Sequence, residues 1–219
     1  QWLCGYDGLD WKPEIEDTTL FDTQAFDQQL NNFRAPVPWV VARQQFHQLG
    51  NHDTRRILSI TGDKALVKLG TAMLMAYPGV PCIYYGDEIA LAGERDPNNR
   101  RPMPWDESQW DDDMLTFHKY IIQLRRTQHA LMHGGYQTLY AQGDLWVFLR
   151  ESDKQKLVVV GYRGPDTLEE ITIPVWHGGI ADGTLTDLLT DNTVFTVQDG
   201  HLTLHNLQKG TAFMLQASE

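Results

Sequence analysis

Three clusters of chemically capable side chains punctuate the first half of this sequence. Asn51-His52-Asp53 follows a short apolar stretch at Phe46–Leu49, and Asp87-Glu88 follows the apolar run Val80-Pro81-Cys82-Ile83-Tyr84-Tyr85. The third, Asp96-Pro97-Asn98-Asn99-Arg100-Arg101, lies in the polar loop beyond. Carboxylates, an imidazole and guanidinium groups converging on one rim suit a neutral, hydroxyl-rich ligand. Carboxylates and arginines can each hold two sugar hydroxyls, and a histidine can donate to one. In α/β architectures ligands bind beyond the carboxyl ends of strands, where these clusters fall. Each cluster also has a plainer reading. On spacing alone Asn51-His52-Asp53 is better taken as a turn plus a helix N-cap. Asp87-Glu88 reads as a solvated loop, and Asp96 with Arg100 as a structural salt bridge.

Other chemistry leaves no motif. There is no C-x-x-C, H-E-x-x-H or EF-hand pattern, so no metal site and no cofactor are expected; irregular calcium sites leave no such signature. A G-x-S-x-G elbow and a phosphate-binding glycine loop are also missing. His118, His129 and His133 read as helix-surface residues. Lys and Arg number 18 against 29 Asp and Glu, a net charge of −11. That balance, with no basic run, argues against nucleic acid or an anionic membrane as partner. The longest apolar run, Leu69–Tyr77, is far short of the roughly 18 residues that span a bilayer. Gln1-Trp2-Leu3-Cys4 carries neither a signal peptide nor an initiator Met, so the chain is expected to begin inside a longer protein or after a cleavage. Cys4 and Cys82 are too few for a disulfide framework; both are expected as buried thiols, which fits a cytoplasmic location.

The elements that must position these clusters alternate along the first 134 residues. Asp22 precedes a helix with Phe26, Leu30 and Phe33 on one face, and Pro36 and Pro38 end it. A short helix follows from Trp39 to about Gln44, then a strand at Phe46–Leu49. Asp63 caps a helix whose apolar residues Leu66, Leu69, Met73, Ala76 and Tyr77 recur at helical spacing, and Pro78-Gly79 stops it. The near-continuous apolar run Val80–Tyr85 suits a parallel strand buried on both faces. Asp111-Asp112-Asp113 opens another helix, with Met114, Phe117, Ile121, Leu124, Gln128 and Leu131 on one face and His133-Gly134-Gly135 at its close. Residues 135–219 change character. Short β-rich runs separated by Gly and Asp turns predict an antiparallel β-sandwich of seven or eight strands. The fold class is therefore α/β plus all-β, divided into 1–134 and 135–219. Only two or three (β/α) units fit into the first part, whereas a closed barrel takes about 250 residues.

At these motifs the sequence resembles a known family. Gln48-Leu49-Gly50-Asn51-His52-Asp53-Thr54 is similar to the "NHD" motif of the α-amylase superfamily of glycoside hydrolases. Pro78 to Glu88, PGVPCIYYGDE, resembles that family's eighth barrel strand, and Asp96 to Asp106 the loop after it. The wording is closest to the neopullulanase, cyclomaltodextrinase and maltodextrin glucosidase branch. The motifs stand in family order, and the resemblance covers about residues 20–219.

The resemblance implies retaining hydrolysis of α-glucosidic bonds in maltodextrin-like glucans, with one carboxylate as nucleophile and another as acid/base, about 5 Å apart. It makes Asp53 the third, transition-state-stabilising carboxylate and His52 the imidazole that holds hydroxyls at the cleavage subsite. Asp96 and Arg100 become contacts to a neighbouring sugar. The family's nucleophile and acid/base motifs match no segment here, so the expectation is the C-terminal part of a (β/α)8 barrel plus a β-domain, inactive alone. Tyr6–Trp11 reads weakly as the sixth strand. Strand edges without their usual neighbours predict association with the N-terminal remainder of the barrel, a self-dimer, or local disorder before Trp39. Two other readings stand beside this one. A non-catalytic carbohydrate-binding or interaction module would use Trp146 or Trp176 as a sugar platform, though core positions suit both better. A transglycosylase of the same superfamily would share every residue named.

Overall fold

The computed structural model describes residues 2–4, 20–190 and 192–218 of the 219. Tyr6–Trp11, read as a strand remnant, lies outside the described residues. Trp2 is buried.

The first part is built on helices around two short parallel strands. Helix α1 (Thr23–Arg34) starts at Asp22, whose side chain accepts from the Ala25 N–H at 2.6 Å. Phe26 and Leu30 pack into the core, but Phe33, expected on the same face, is exposed. This segment before Trp39, one candidate for disorder, is a capped helix. Asp27 fixes it in place. One carboxylate oxygen accepts from Thr138 at 2.6 Å, Trp146 at 3.0 Å and Tyr136 at 3.2 Å, and the other from Asn31 at 2.9 Å. After α2 (Trp39–Ala42) comes β1 (Phe46–Gln48), and after β1 the five-residue helix α3 (Ile57–Thr61), which the sequence pattern did not suggest.

Helix α4 (Lys64–Ala76) is capped by Asp63 as expected, with Ala65 N–H to Oδ1 at 2.8 Å. Ten of its 13 residues are buried, because it is walled on several sides. A helix apolar nearly all round belongs inside a protein. Strand β2 (Val80–Cys82) pairs parallel with β1, Phe46 against Val80 through Gln48 against Cys82. The longer strand expected to Tyr85, buried on both faces, is thus corrected. With only three residues of β1 to pair, the chain leaves the ladder at Ile83, and Phe46 and Val80 are exposed. Helix α5 (Asp112–Thr127) begins at Asp111, whose side chain accepts from Met114 N–H at 2.8 Å. It does not run on to His133. At Gln128 the backbone is extended, and the Gln155 side chain takes the Ala130 N–H at 3.0 Å, opening a separate helix α6 (His129–His133).

From Gly135 the chain is β. Strands β3 (Gly135–Gln142), β4 (Leu145–Glu151), β5 (Lys156–Tyr162), β6 (Leu168–Pro174), β7 (Gly183–Asp187), β8 (Val194–Gln198), β9 (His201–Leu207) and β10 (Thr211–Ala217) form one antiparallel sheet, ordered β3-β4-β5-β10-β7-β8-β9-β6. Two separate sheets were expected. Instead the hydrogen bonding is continuous, and the outer strands β3 and β6 approach one another as the sheet rolls over. Strand parity builds two cores. Leu145, Val147, Leu149, Val158 and Val160 point into the roll with Leu202 and Leu204. Trp146, Phe148, Leu157 and Val159 point out onto α4, α5 and α6. Both faces of β4 and β5 are therefore buried. Gly161 permits this approach: a Cβ there would lie 2.7 Å from the Met73 sulfur.

Arg150 locks the two parts together. From β4 it donates to Gly135 O at 2.9 Å, Gly134 O at 2.9 Å, Leu131 O at 3.1 Å and Ala76 O, satisfying carbonyls that the ends of α4 and α6 leave open. Burial lowers its pKa to about 9. Several expectations about burial are corrected here. His118 is buried rather than on the surface, its Nδ1 2.9 Å from Met114 O, because α5 turns it toward Thr71 of α4. Cys4 and Cys82 are free but only partly buried. Trp146 is core, whereas Trp176 is 63% exposed. Among the described residues no helix is long and apolar enough to cross a membrane.

Candidate functional site

The turn reading of Asn51-His52-Asp53 is right about the backbone and wrong about its purpose. Asn51 Oδ1 accepts from Asp53 N–H at 2.8 Å, and Thr54 Oγ1 accepts from Asn51 N–H at 3.1 Å. This Asx turn fixes the chain just past β1. It caps no helix: α3 starts at Arg56, with no side-chain cap. The turn leaves His52 and Asp53 standing in solvent, their side chains 65% and 49% exposed and His52 Nε2 3.4 Å from Asp53 Oδ1.

The loop beyond β2 comes back to meet them. Asn98–Arg100 form a short 3-10 turn. Asn99 is fully buried, and its amide donates to His52 O at 2.9 Å and Thr54 O at 2.8 Å. Arg100 Nε donates to His52 O at 2.8 Å and pairs with Asp96 at 3.2 Å, while Nη2 lies 3.4 Å from Asp53 Oδ1. So the structure brings Asp53, His52, Asp96 and Arg100 into one cluster. The Asp96–Arg100 ion pair expected as a bare structural bridge is real, but it also touches the Asp53 turn. A half-exposed carboxylate, an imidazole and a guanidinium on two tied loops offer fixed acceptors and donors to hydroxyls. Among the described residues no group of three or more His, Cys, Asp or Glu is placed to hold a metal.

Asp87 lies elsewhere and is not solvated. Its side chain is 8% exposed, beside Arg56, whose own side chain is 0% exposed, with Nη1 3.4 Å from Asp87 Oδ1. Arg56 lies over Tyr84 and Tyr85, 4.6 Å from each ring centre, and donates to Tyr85 O. Its backbone N–H donates to Gly93 O at 2.9 Å. Among the described residues its Nε and Nη2 find no hydrogen-bond partner. Burial raises the Asp87 pKa to about 7; Arg56 opposes the rise and Glu88 adds to it. One long contact to Arg56 does not offset the lost hydration. Arg56 thus pins the strand-end Tyr84-Tyr85 segment and the Gly93 loop beneath the Asp53 turn.

The sequence reading did not single out Arg56 or Asn99. Both are polar residues beside the motif that turn inward, and the only signal was position: Arg56 opens α3 right behind the Asx turn, and Asn99 precedes Arg100.

Comparison with known proteins places this geometry. The family model described as the α-amylase catalytic domain matches residues 10–134. A cyclomaltodextrinase of Bacillus sp is 37% identical over 144 residues, 64% of this chain and 26% of that protein. Neopullulanase 2 of Thermoactinomyces vulgaris is 36% identical over 155 residues, 69% of this chain and 26% of that protein. Among solved structures, a cyclomaltodextrinase superposes with a TM-score of 0.80 at 30% identity, covering 90% of this chain and 33% of the other. The chain spans about a quarter of the length of these two curated relatives.

Proposed function

Since this chain belongs to the α-amylase family of glycoside hydrolases, we propose that it forms part of a retaining α-glucan hydrolase acting on maltodextrin-like substrates, and carries that enzyme's transition-state-stabilising carboxylate. One observation carries the reading: Asp53, His52, Asp96 and Arg100 meet in a single cluster across the loops after β1 and β2.

In the proposed mechanism Asp53 accepts from hydroxyls of the sugar being cleaved. Its fixed negative charge stabilises the oxocarbenium-like state as positive charge develops. His52 holds a hydroxyl of the same sugar. Arg100, itself steadied by Asp96 and by His52 O, orients Asp53 and reaches the neighbouring sugar with Asp96. The nucleophile and the acid/base would come from segments that none of the 219 residues resembles, so the chain alone is proposed to be inactive.

The proposed boundary between the partial barrel, 1–134, and the β-domain, 135–219, is supported by the family match ending at Gly134 and β3 starting at Gly135. Exposed Phe46 and Val80, paired across β1 and β2, with exposed Val40 and Val41 nearby in the chain, support a proposed partner on this face. That partner is either the barrel's N-terminal remainder or a second copy. The free cysteines support a reducing, cytoplasmic setting.

The test is direct. The pure chain is assayed on maltotriose, cyclodextrin and pullulan, then its binding of maltoheptaose is measured. Expected are no turnover, and binding that Asp53→Asn and His52→Ala weaken at least tenfold. Turnover by the chain alone, lost in Asp53→Asn, overturns the inactivity; binding indifferent to both changes overturns the site.

A further inference from the structure

On the outer face of the sheet, where β6, β8 and β9 meet, lies a groove of about 550 Å³ that the Asp53 cluster does not use. Ligand pockets commonly measure about 300–1,000 Å³. Strand parity creates it. On β9, Leu202 and Leu204 turn into the core, so His201, Thr203 and His205 face out. Thr172 stands opposite Thr203 in the ladder, and Gln198 opposite His201. The polar lining is hydroxyl, amide and imidazole; no Lys or Arg borders it, and Asp199 is its one carboxylate. Such a set suits a neutral ligand with many hydroxyls and offers an anion no cation.

Its hydrogen-bonding capacity is partly pre-set. His201 Nδ1 lies 2.7 Å from Asp199 O. A carbonyl only accepts, so Nδ1 carries the proton and Nε2 is left as an acceptor. The Thr172 and Thr203 hydroxyls are 3.0 Å apart, so one of their two hydrogens remains to be given.

An aromatic face adjoins this array. Trp176, 63% exposed, is held rigidly: its N–H donates to Gly200 O at 3.0 Å, and its C=O accepts from Gly179 N–H at 2.9 Å. Gly200, between Asp199 and His201, has φ +70°, and a Cβ there would fall 2.6 Å from the Trp176 Cβ and 3.3 Å from its Cγ. The indole therefore leans against the turn that supplies Asp199 and His201 to the groove. A flat apolar face beside an array of neutral donors and acceptors matches the two sides of a pyranose ring.

We infer that Trp176 and the β6–β8–β9 groove form a second glucan-binding surface, which takes a maltooligosaccharide or a segment of an α-glucan chain apart from the Asp53 cluster. The inference deepens the proposed function and rests on its substrate class. A second foothold on the same polymer raises the effective concentration of glucan at the first.

The experiment is a titration of the ¹⁵N-labelled chain with maltoheptaose, followed by two-dimensional NMR, on the unsubstituted protein and on Trp176→Ala, Thr203→Val and His52→Ala. Expected are saturable shifts at the Trp176 indole N–H and at the amides of Thr172 and 198–203. Trp176→Ala should weaken that response at least tenfold, and Thr203→Val severalfold, while shifts at 51–54 and 96–101 persist. His52→Ala should do the reverse. Shifts confined to 51–54 and 96–101 overturn the second surface and leave the proposed function standing. Shifts at the groove alone support the second surface and count against the Asp53 site; shifts at neither overturn both. Groove shifts that follow protein concentration rather than sugar identify a second copy as the occupant and overturn the inference.

Discussion

Replacing Asp87 by Asn should remove a large part of the protein's pH dependence. The folded chain holds the Asp87 proton until about pH 7, because burial penalises the carboxylate and the single Arg56 contact at 3.4 Å does not make up the loss. The unfolded chain releases it near the ordinary 3.8. Between those values the folded state binds more protons, so stability falls as pH rises through the window. At about 1.4 kcal/mol per pH decade, the interval amounts to about 4 kcal/mol, of which about 2–3 kcal/mol lies between pH 5 and 8. Other groups titrate nearby: burial lowers the pKa of His118 and of His47, which acts in the opposite direction across the same range. Comparison of the two proteins cancels those contributions, since both keep the histidines. Urea unfolding at half-unit steps from pH 5 to 8, followed by circular dichroism, gives the stability of each. The stability of the unsubstituted protein minus that of Asp87→Asn should fall by about 2–3 kcal/mol over this span, with equal m-values. A difference that stays constant with pH would refute the reasoning, for it would mean that Asp87 is already charged at pH 5 and that Arg56 balances its burial.

Asp27→Ala strands the Trp146, Tyr136 and Thr138 donors and frees α1 from β3 and β4; about 2–4 kcal/mol should be lost in urea unfolding, and α1 amides should lose hydrogen-exchange protection first. Arg150→Met leaves the carbonyls of Ala76, Leu131, Gly134 and Gly135 without their donor, a loss of about 2–4 kcal/mol by the same measurement. Gly161→Val drives a side chain into Met73 and should cost about 1–3 kcal/mol, seen as a lowered Tm, with Met73→Ala restoring part of it.

What the sequence made legible divides along a physical line. Caps and face patterns are local, and they were read correctly at Asp22, Asp63 and Asp111, where a side chain serves an N–H two or three residues on. The Asp53 cluster was legible by resemblance, since its loops lie more than forty residues apart and only family order joined them. Misreadings arose where a distant residue decides the local outcome. Gln155 reaches the Ala130 N–H and divides α5 from α6, and nothing near Gln128 announces it. His118 looks like a surface histidine until α4 is laid against α5.

Arg56 and Asp87 show why such residues escape a reading by polarity. Each is charged and flanks a loop, so solvent is the default expectation. Their burial follows from a requirement visible only in three dimensions. The loops after β1 and β2 must be tied beneath the Asp53 turn, and the Tyr84 and Tyr85 rings lie there against a delocalised cation. A lysine would supply the charge without the flat face that spans both rings, and an aliphatic residue would leave Tyr85 O without its donor. An arginine meets both demands at once, at the cost of a half-satisfied guanidinium and a carboxyl held near neutrality. That local cost beneath a candidate active site is what rigid placement of Asp53 and His52 requires.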